Sequence, residues 1–391
     1  MGLAQFRTFG ATSGESDRAD SLAGVRGQRN DEPRTKGQWL PAAALLLSLS
    51  PLSMLCACRN GADPGPPDSE QGAGAEAVVG PTDELGGLRH NRELAAALEG
   101  HVRALATEIG GRGLDRPGTM AASATYLREQ WRAQGYRPLA QSYAVPEAPP
   151  NADGTPAVVD NLWVTIPGRS PAVVVIGAHY DTCQGNPGAD DNASGVAALL
   201  ELTRALATAP QPDKTLHFVA FANEEPPYFK RPARMGSSVY ASMLADRNTE
   251  VVAMLSLESI GYYSDAPDSQ HYPKIIAALY PSTGNFVAVV GKNRSRPLIR
   301  RLVRTMEAAG PVPVESIAAP ATITGIDWSD HWSFWEQGWS QAVMITDTAT
   351  YRNPHYHEMS DTPETLDYGR LAAVTVAIEA GVRELAWTTP D

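Results

Sequence analysis

AVVVIGA, residues 172–178, runs straight into His179-Tyr180-Asp181. An unbroken apolar, largely β-branched run of this length has no polar face and reads as a strand buried on both sides. Gly188-Ala189-Asp190-Asp191-Asn192 follows. Residues 193–207 then place Val, Leu and Ala at helical spacing. The pattern recurs outward from there. A strand over 215–222 ends in Asn223-Glu224-Glu225, and one over 251–257 ends in Glu258, with a helix over 237–245 between them. Further strands are predicted at 285–290 and 342–346. Helices are predicted at 92–109, 120–134 and 371–387.

Buried strands alternating with amphipathic helices define an α/β fold. The expected architecture is a three-layer α/β/α domain with a mostly parallel, mixed central sheet. It is expected to form a single folded domain over 88–391, with no internal repeat. In such sheets functional residues gather at the carboxyl ends of the strands.

The chain has 391 residues, 43% hydrophobic and 19% charged, which is the composition of a globular protein. Its formal net charge of -12 argues against a nucleic-acid partner, since phosphate binding needs a basic face. The cysteines are Cys56, Cys58 and Cys183. With Cys183 alone in the body of the chain, a disulfide framework and a cysteine-rich zinc site are both excluded there.

Residues 39–55 (WLPAAALLLSLSPLSML) follow Arg34 and Lys36 and have the length of a signal-peptide apolar region, short for a transmembrane span. They end in Leu55-Cys56-Ala57-Cys58, which resembles a bacterial lipobox with Cys58 as the acylated residue. Residues 1–58 are therefore expected to be a signal region. Residues 59–87, rich in Gly, Pro and Ala without periodicity, are expected to be a flexible tether. The folded domain is then expected at the cell envelope, lipid-anchored on the periplasmic or extracellular face. An ordinary signal peptide and an uncleaved anchor are the alternatives.

Every predicted strand around the 172–178 segment is followed by a histidine or an acid of the kind zinc accepts, and His357 and Asp361 lie ahead of the last helix. Singly these are ordinary: paired acids often cap helices and adjacent glutamates often face solvent. Their occurrence at successive strand ends points to a metal centre.

The strings GAHYD, GADDNASG, FVAFANEE, SLESIGYY and YHEMSDT resemble the signature segments of metallopeptidase family 28, in the family's order. That family includes bacterial di-zinc aminopeptidases, glutamate carboxypeptidases and glutaminyl cyclases. The resemblance implies the zinc exopeptidase fold and two Zn2+ per chain. It implies that Asp191 bridges both ions, with His179 and Glu258 completing one site and Glu225 and His357 the other. Relatives often carry aspartate where Glu258 stands. They also place a non-proline cis peptide after the bridging acid, here Asp191-Asn192.

Asp181 is then the natural partner for the far nitrogen of His179. Glu224, beside a ligand without being one, is the choice for general base. Since neighbouring strand residues point to opposite faces, Glu224 and Glu225 can share a site only if the chain leaves strand geometry there, as Pro226-Pro227 would make it do. Tyr356 matches the position from which some relatives offer a phenol to the transition state. Trp332, Trp335 and Trp339 have helical spacing and are expected in the core. The implied activity is hydrolysis of N-terminal residues from peptides, with a glutaminyl cyclase reaction or a carboxypeptidase or dipeptidase of the same fold as alternatives. Side-chain preference and oligomeric state are left open.

Overall fold

The computed structural model describes residues 81–387 apart from residue 152. The expected signal region and most of the expected tether lie outside the described residues. The rest of the tether does not match expectation, because helix α1 (Pro81–Arg103) already begins at Pro81. No helix among the described residues is long and apolar enough to cross a membrane.

Eight strands form one mixed sheet: β1 (Leu139–Val145), β2 (Ala157–Ile166), β3 (Ser170–His179), β4 (Lys214–Phe221), β5 (Val251–Glu258), β6 (Val287–Lys292), β7 (Val314–Ala319) and β8 (Ala342–Thr346). Their order is β1-β2-β4-β3-β5-β8-β6-β7. The central strands β4, β3, β5 and β8 run parallel, while β1·β2, β2·β4 and β6·β8 are antiparallel. A parallel centre puts four carboxyl ends along one edge. His179 lies opposite Phe221, and Glu258 opposite Thr346.

Alternate residues of the central strands feed two cores, as a period of two requires. Val174, Ile176, Phe218, Ala220 and Leu255 face one core, packed by α1, α2 (Thr119–Ala133), α3 (Gly195–Leu206), α5 (Arg296–Ala309) and α7 (Tyr368–Ala386). Val173, Val175, Val219, Phe221 and Met254 face the other, under α4 (Gly236–Asp246) and α6 (His331–Glu336). This is the three-layer arrangement expected. Trp335 is buried and donates its indole N–H to the Ala342 carbonyl, while Trp332 and Trp339 are half-buried against the same core.

Candidate metal centre

The sheet edge delivers the candidate ligands. His179 is the last residue of β3 and Glu258 the last of β5. Asp191 sits in the turn before α3 with extended backbone angles, and its bond to Asn192 is cis, as expected. After β4 the chain leaves strand geometry at Asn223, whose φ is +57°. Glu224 and Glu225 thereby both turn into the site.

Asp191 divides its carboxylate between two imidazoles. Its Oδ1 is 3.3 Å from His179 Nε2, and its Oδ2 is 3.1 Å from His357 Nε2. His179 Nε2 also stands 3.3 Å from Glu258 Oε2, and His357 Nε2 stands 3.2 Å from Glu225 Oε2. Donors bonded to a tetrahedral zinc at 2.0–2.1 Å lie roughly 3.3–3.4 Å apart, so both spacings are those of coordination edges. Asp191 Oδ1, Glu225 Oε1 and His357 Nε2 are buried without a hydrogen-bond partner. Buried polar atoms left this way are costly unless a cation takes them up. The five residues expected as ligands are thus brought together in two triads that share Asp191, and the donor set fits zinc.

The electrostatics agree. Burial pushes the Glu225 carboxyl up to about 8 and raises Glu258 too. Burial also acts to raise Asp191, but its pairing with the His179 and His357 imidazoles outweighs it and holds that carboxyl well below the usual range. Both histidines are raised despite burial, by Glu258, Asp181 and Asp191 at His179 and by Asp191, Cys183 and Glu225 at His357. The cluster carries a negative surplus that draws in positive charge, which protons or metal ions can supply.

Asp181 is where expected but does more. His179 Nδ1 lies 3.5 Å from its Oδ1 and 3.2 Å from its backbone carbonyl. The same carboxylate accepts the Glu224 amide on Oδ1 and the Glu225 amide on Oδ2, each at 3.0 Å. Asp361 repeats the device across the site, accepting the Asp190 amide at 3.0 Å and the Asp191 amide at 3.1 Å. Its carboxylate holds ligand backbone, which its zinc-compatible chemistry alone did not reveal. Asp190 accepts from the Gly261 amide and from Asn353, tying three loops together.

Glu224 is 6% exposed and groups with His179 and Glu225, their donor atoms within 4.8 Å of one another. Burial pushes its carboxyl well above the ordinary range. Tyr356 stacks on His357, with ring centroids 3.9 Å apart and planes at 17°.

Sequence reasoning missed several supporting residues. Ser329 donates to Glu258 Oε2 at 2.7 Å. Arg112 is fully buried and spends its guanidinium on the carbonyls of Leu105, Gly110, Tyr180, Pro187 and Gly188. Cys183, set aside as a lone cysteine, sits with Glu225 and His357.

Similarity to known proteins follows the same outline. The chain is 38% identical to the uncharacterized protein YfbL of Escherichia coli (strain K12) over 286 residues, covering 71% of this chain and 84% of that protein. It is 28% identical to the leucine aminopeptidase 1 of Trichophyton rubrum, over 68% of this chain and 67% of the relative. Among solved structures, a zinc aminopeptidase from Bacillus subtilis superposes with a TM-score of 0.58 at 17% identity, over 76% of this chain and 96% of that one. The glutaminyl cyclase of Porphyromonas gingivalis superposes with 0.54 at 17% identity, over 74% of this chain and 97% of that one, so the fold is shared by both chemistries. The model described as Peptidase family M28 matches residues 161–382, more than half of the chain and a span holding both triads. By that match, and with a donor set built for cations at the sheet edge, this chain belongs to peptidase family M28 and is a metal-dependent peptidase.

Proposed function

We propose that this chain is an aminopeptidase that holds two zinc ions and removes large apolar residues from peptide N-termini. One observation carries the substrate part. A cleft opens at Glu258 and Tyr356 and is walled by Phe286, Ile317, Trp328 and Met344. Those walls have the apolar character of a pocket for one large side chain. The named aminopeptidase relatives support the same reading.

Zinc ions, when bound, supply Lewis acidity and lower the pKa of water. His179, Asp191 and Glu258 would hold one, and Asp191, Glu225 and His357 the other. Glu224 accepts the proton of the attacking water and returns it to the leaving amine, its burial keeping the carboxyl basic enough for the exchange. Asp181 fixes the backbone of Glu224 and Glu225, so base and ligand keep separate directions. Tyr356, held on His357, presents its phenol toward the scissile carbonyl.

The N-terminal reading joins this one as a proposal. Acylation of Cys58 would leave the domain lipid-anchored at the cell envelope, and it rests on the LCAC sequence alone.

The test is a substrate panel on the zinc-loaded chain. Leucyl and phenylalanyl anilides are expected to be cleaved about tenfold or more faster than aspartyl anilide, with little cyclisation of N-terminal glutaminyl peptides. Cyclisation outpacing anilide cleavage would move the chain to the transferase class. Equal rates on all anilides would remove the apolar pocket from the account.

A further inference from the structure

We propose that Cys183 is a fourth protein donor at the Glu225–His357 position, which would then take its cation through Asp191, Glu225, His357 and the Cys183 thiolate. This rests on the two-metal reading above and deepens it. Cys183 opens the short turn Cys183–Gly185 just beyond Asp181. That turn is anchored: the Thr182 amide donates to the Arg112 carbonyl at 2.8 Å, and Thr182 Oγ1 accepts the Arg112 amide at 2.9 Å. The Arg112 guanidinium also holds the Pro187 and Gly188 carbonyls just ahead of Asp191. One clamp therefore positions both the sulfur and the bridging acid.

Cys183 is 5% exposed and forms no disulfide. Its Sγ, a Glu225 carboxylate oxygen and a His357 ring nitrogen all lie within 4.8 Å of one another. A second observation points to a cation between them rather than to a packed thiol. Glu225, 4% exposed, keeps one buried oxygen without a hydrogen-bond partner, and the buried His357 Nε2 nitrogen has none either. A thiolate bonded to zinc at about 2.3 Å stands roughly 3.6 Å from the other donors of a tetrahedron, which is within the observed grouping.

The step is an acid–base exchange without redox. The Cys183 S–H bond breaks, the sulfur lone pair forms the bond to the metal, and the proton leaves to solvent. Two consequences follow. Asp191, Glu225, Glu258 and the thiolate bring four negative charges against four positive, so the pair is neutral on protein donors alone. The positions also become unlike: four protein donors close the one at His357, while the three at His179 leave room for water or substrate. A soft sulfur favours zinc over harder divalent ions at the closed position.

The test loads the metal-free full chain with cobalt(II) and reads metal stoichiometry with the absorption spectrum. The native chain is expected to bind two ions and to show a thiolate-to-cobalt charge-transfer band in the near ultraviolet. Cys183→Ser and Cys183→Ala should lose that band and bind the second ion about tenfold or more weaker. A Cys56→Ser/Cys58→Ser chain, which leaves Cys183 as its sole thiol, should keep the band and decides the matter even where the Cys183 variants fail to fold. Two bound ions without a band in that chain would overturn the role of Cys183 and leave the two-metal reading standing. Fewer than two ions in the native chain would overturn both.

Discussion

Asp361 holds Asp191 by its backbone: the Asp361 Oδ2 accepts the Asp191 amide at 3.1 Å while Oδ1 takes the amide of Asp190. The acid shared by both histidines is thereby fixed from behind, with its side chain free for its partners. Asp361→Asn keeps the size but turns one acceptor into a donor facing an N–H. The expected result is a loss of about 10–100-fold in zinc affinity with the fold retained, read by zinc titration of the metal-free chain. Unchanged affinity would show that the turn before α3 holds its shape without the clamp.

Arg112 poses a stability question. It is fully buried, and its guanidinium satisfies five backbone carbonyls. Arg112→Met removes all five bonds in the interior; the Leu105 and Gly188 carbonyls keep the amides of Gly110 and Ala193, while the other three lose their guanidinium donor. Destabilisation on the order of 3–5 kcal/mol is expected, with Arg112→Lys only partly protective because an ammonium has three donors on one centre. Urea unfolding of the chelator-treated chain measures it.

Stability should also fall in mild acid for a reason remote from the metal centre. His217 accepts or donates a 2.8 Å hydrogen bond with the Tyr240 hydroxyl, and burial, with Arg247 nearby, pushes its pKa down to about 4. Above an unfolded pKa of about 6.5 both states are neutral and this contribution is fully present. Below it the unfolded chain binds a proton that the folded chain refuses, so stability is lost at roughly 1.4 kcal/mol per pH unit until the folded pKa is reached. His217→Gln should flatten the fall of the urea midpoint between pH 6.5 and about 4. An identical slope in the variant would contradict it.

What was legible in the sequence divides along burial. Strands β3, β4, β5 and β8 lie inside the sheet and read as mainly apolar runs, interrupted by His217 in β4 and Ser256 in β5; β8 was bounded correctly at both ends. Strands β1, β2 and β7 lie at or next to the sheet margins, where LAQSYAV, Asp160-Asn161 and VESIAA break the apolar signal. Helix α5 was not among the predicted helices, although Leu298, Leu302 and Met306 form an apolar stripe between its arginines. The candidate ligands His179 and Glu258 were legible because strand ends are marked by local sequence. The clamps were not. Asp181 meets the amides of Glu224 and Glu225, and Arg112 meets the turn before Asp191, across chain separations that only the assembled sheet closes.

The central claim is that Glu224 and Glu225, adjacent and chemically alike, have different duties, proton transfer for the first and metal holding for the second. The deciding measurement is zinc content beside the rate on leucyl anilide for each Gln variant. Glu224→Gln is expected to keep both ions and lose roughly 10²–10⁴-fold in turnover, the usual worth of a general base. Glu225→Gln is expected to bind one ion more weakly and regain part of its activity in excess zinc. A Glu224→Gln chain that loses a metal ion, or a Glu225→Gln chain that keeps two and full activity, would contradict the account.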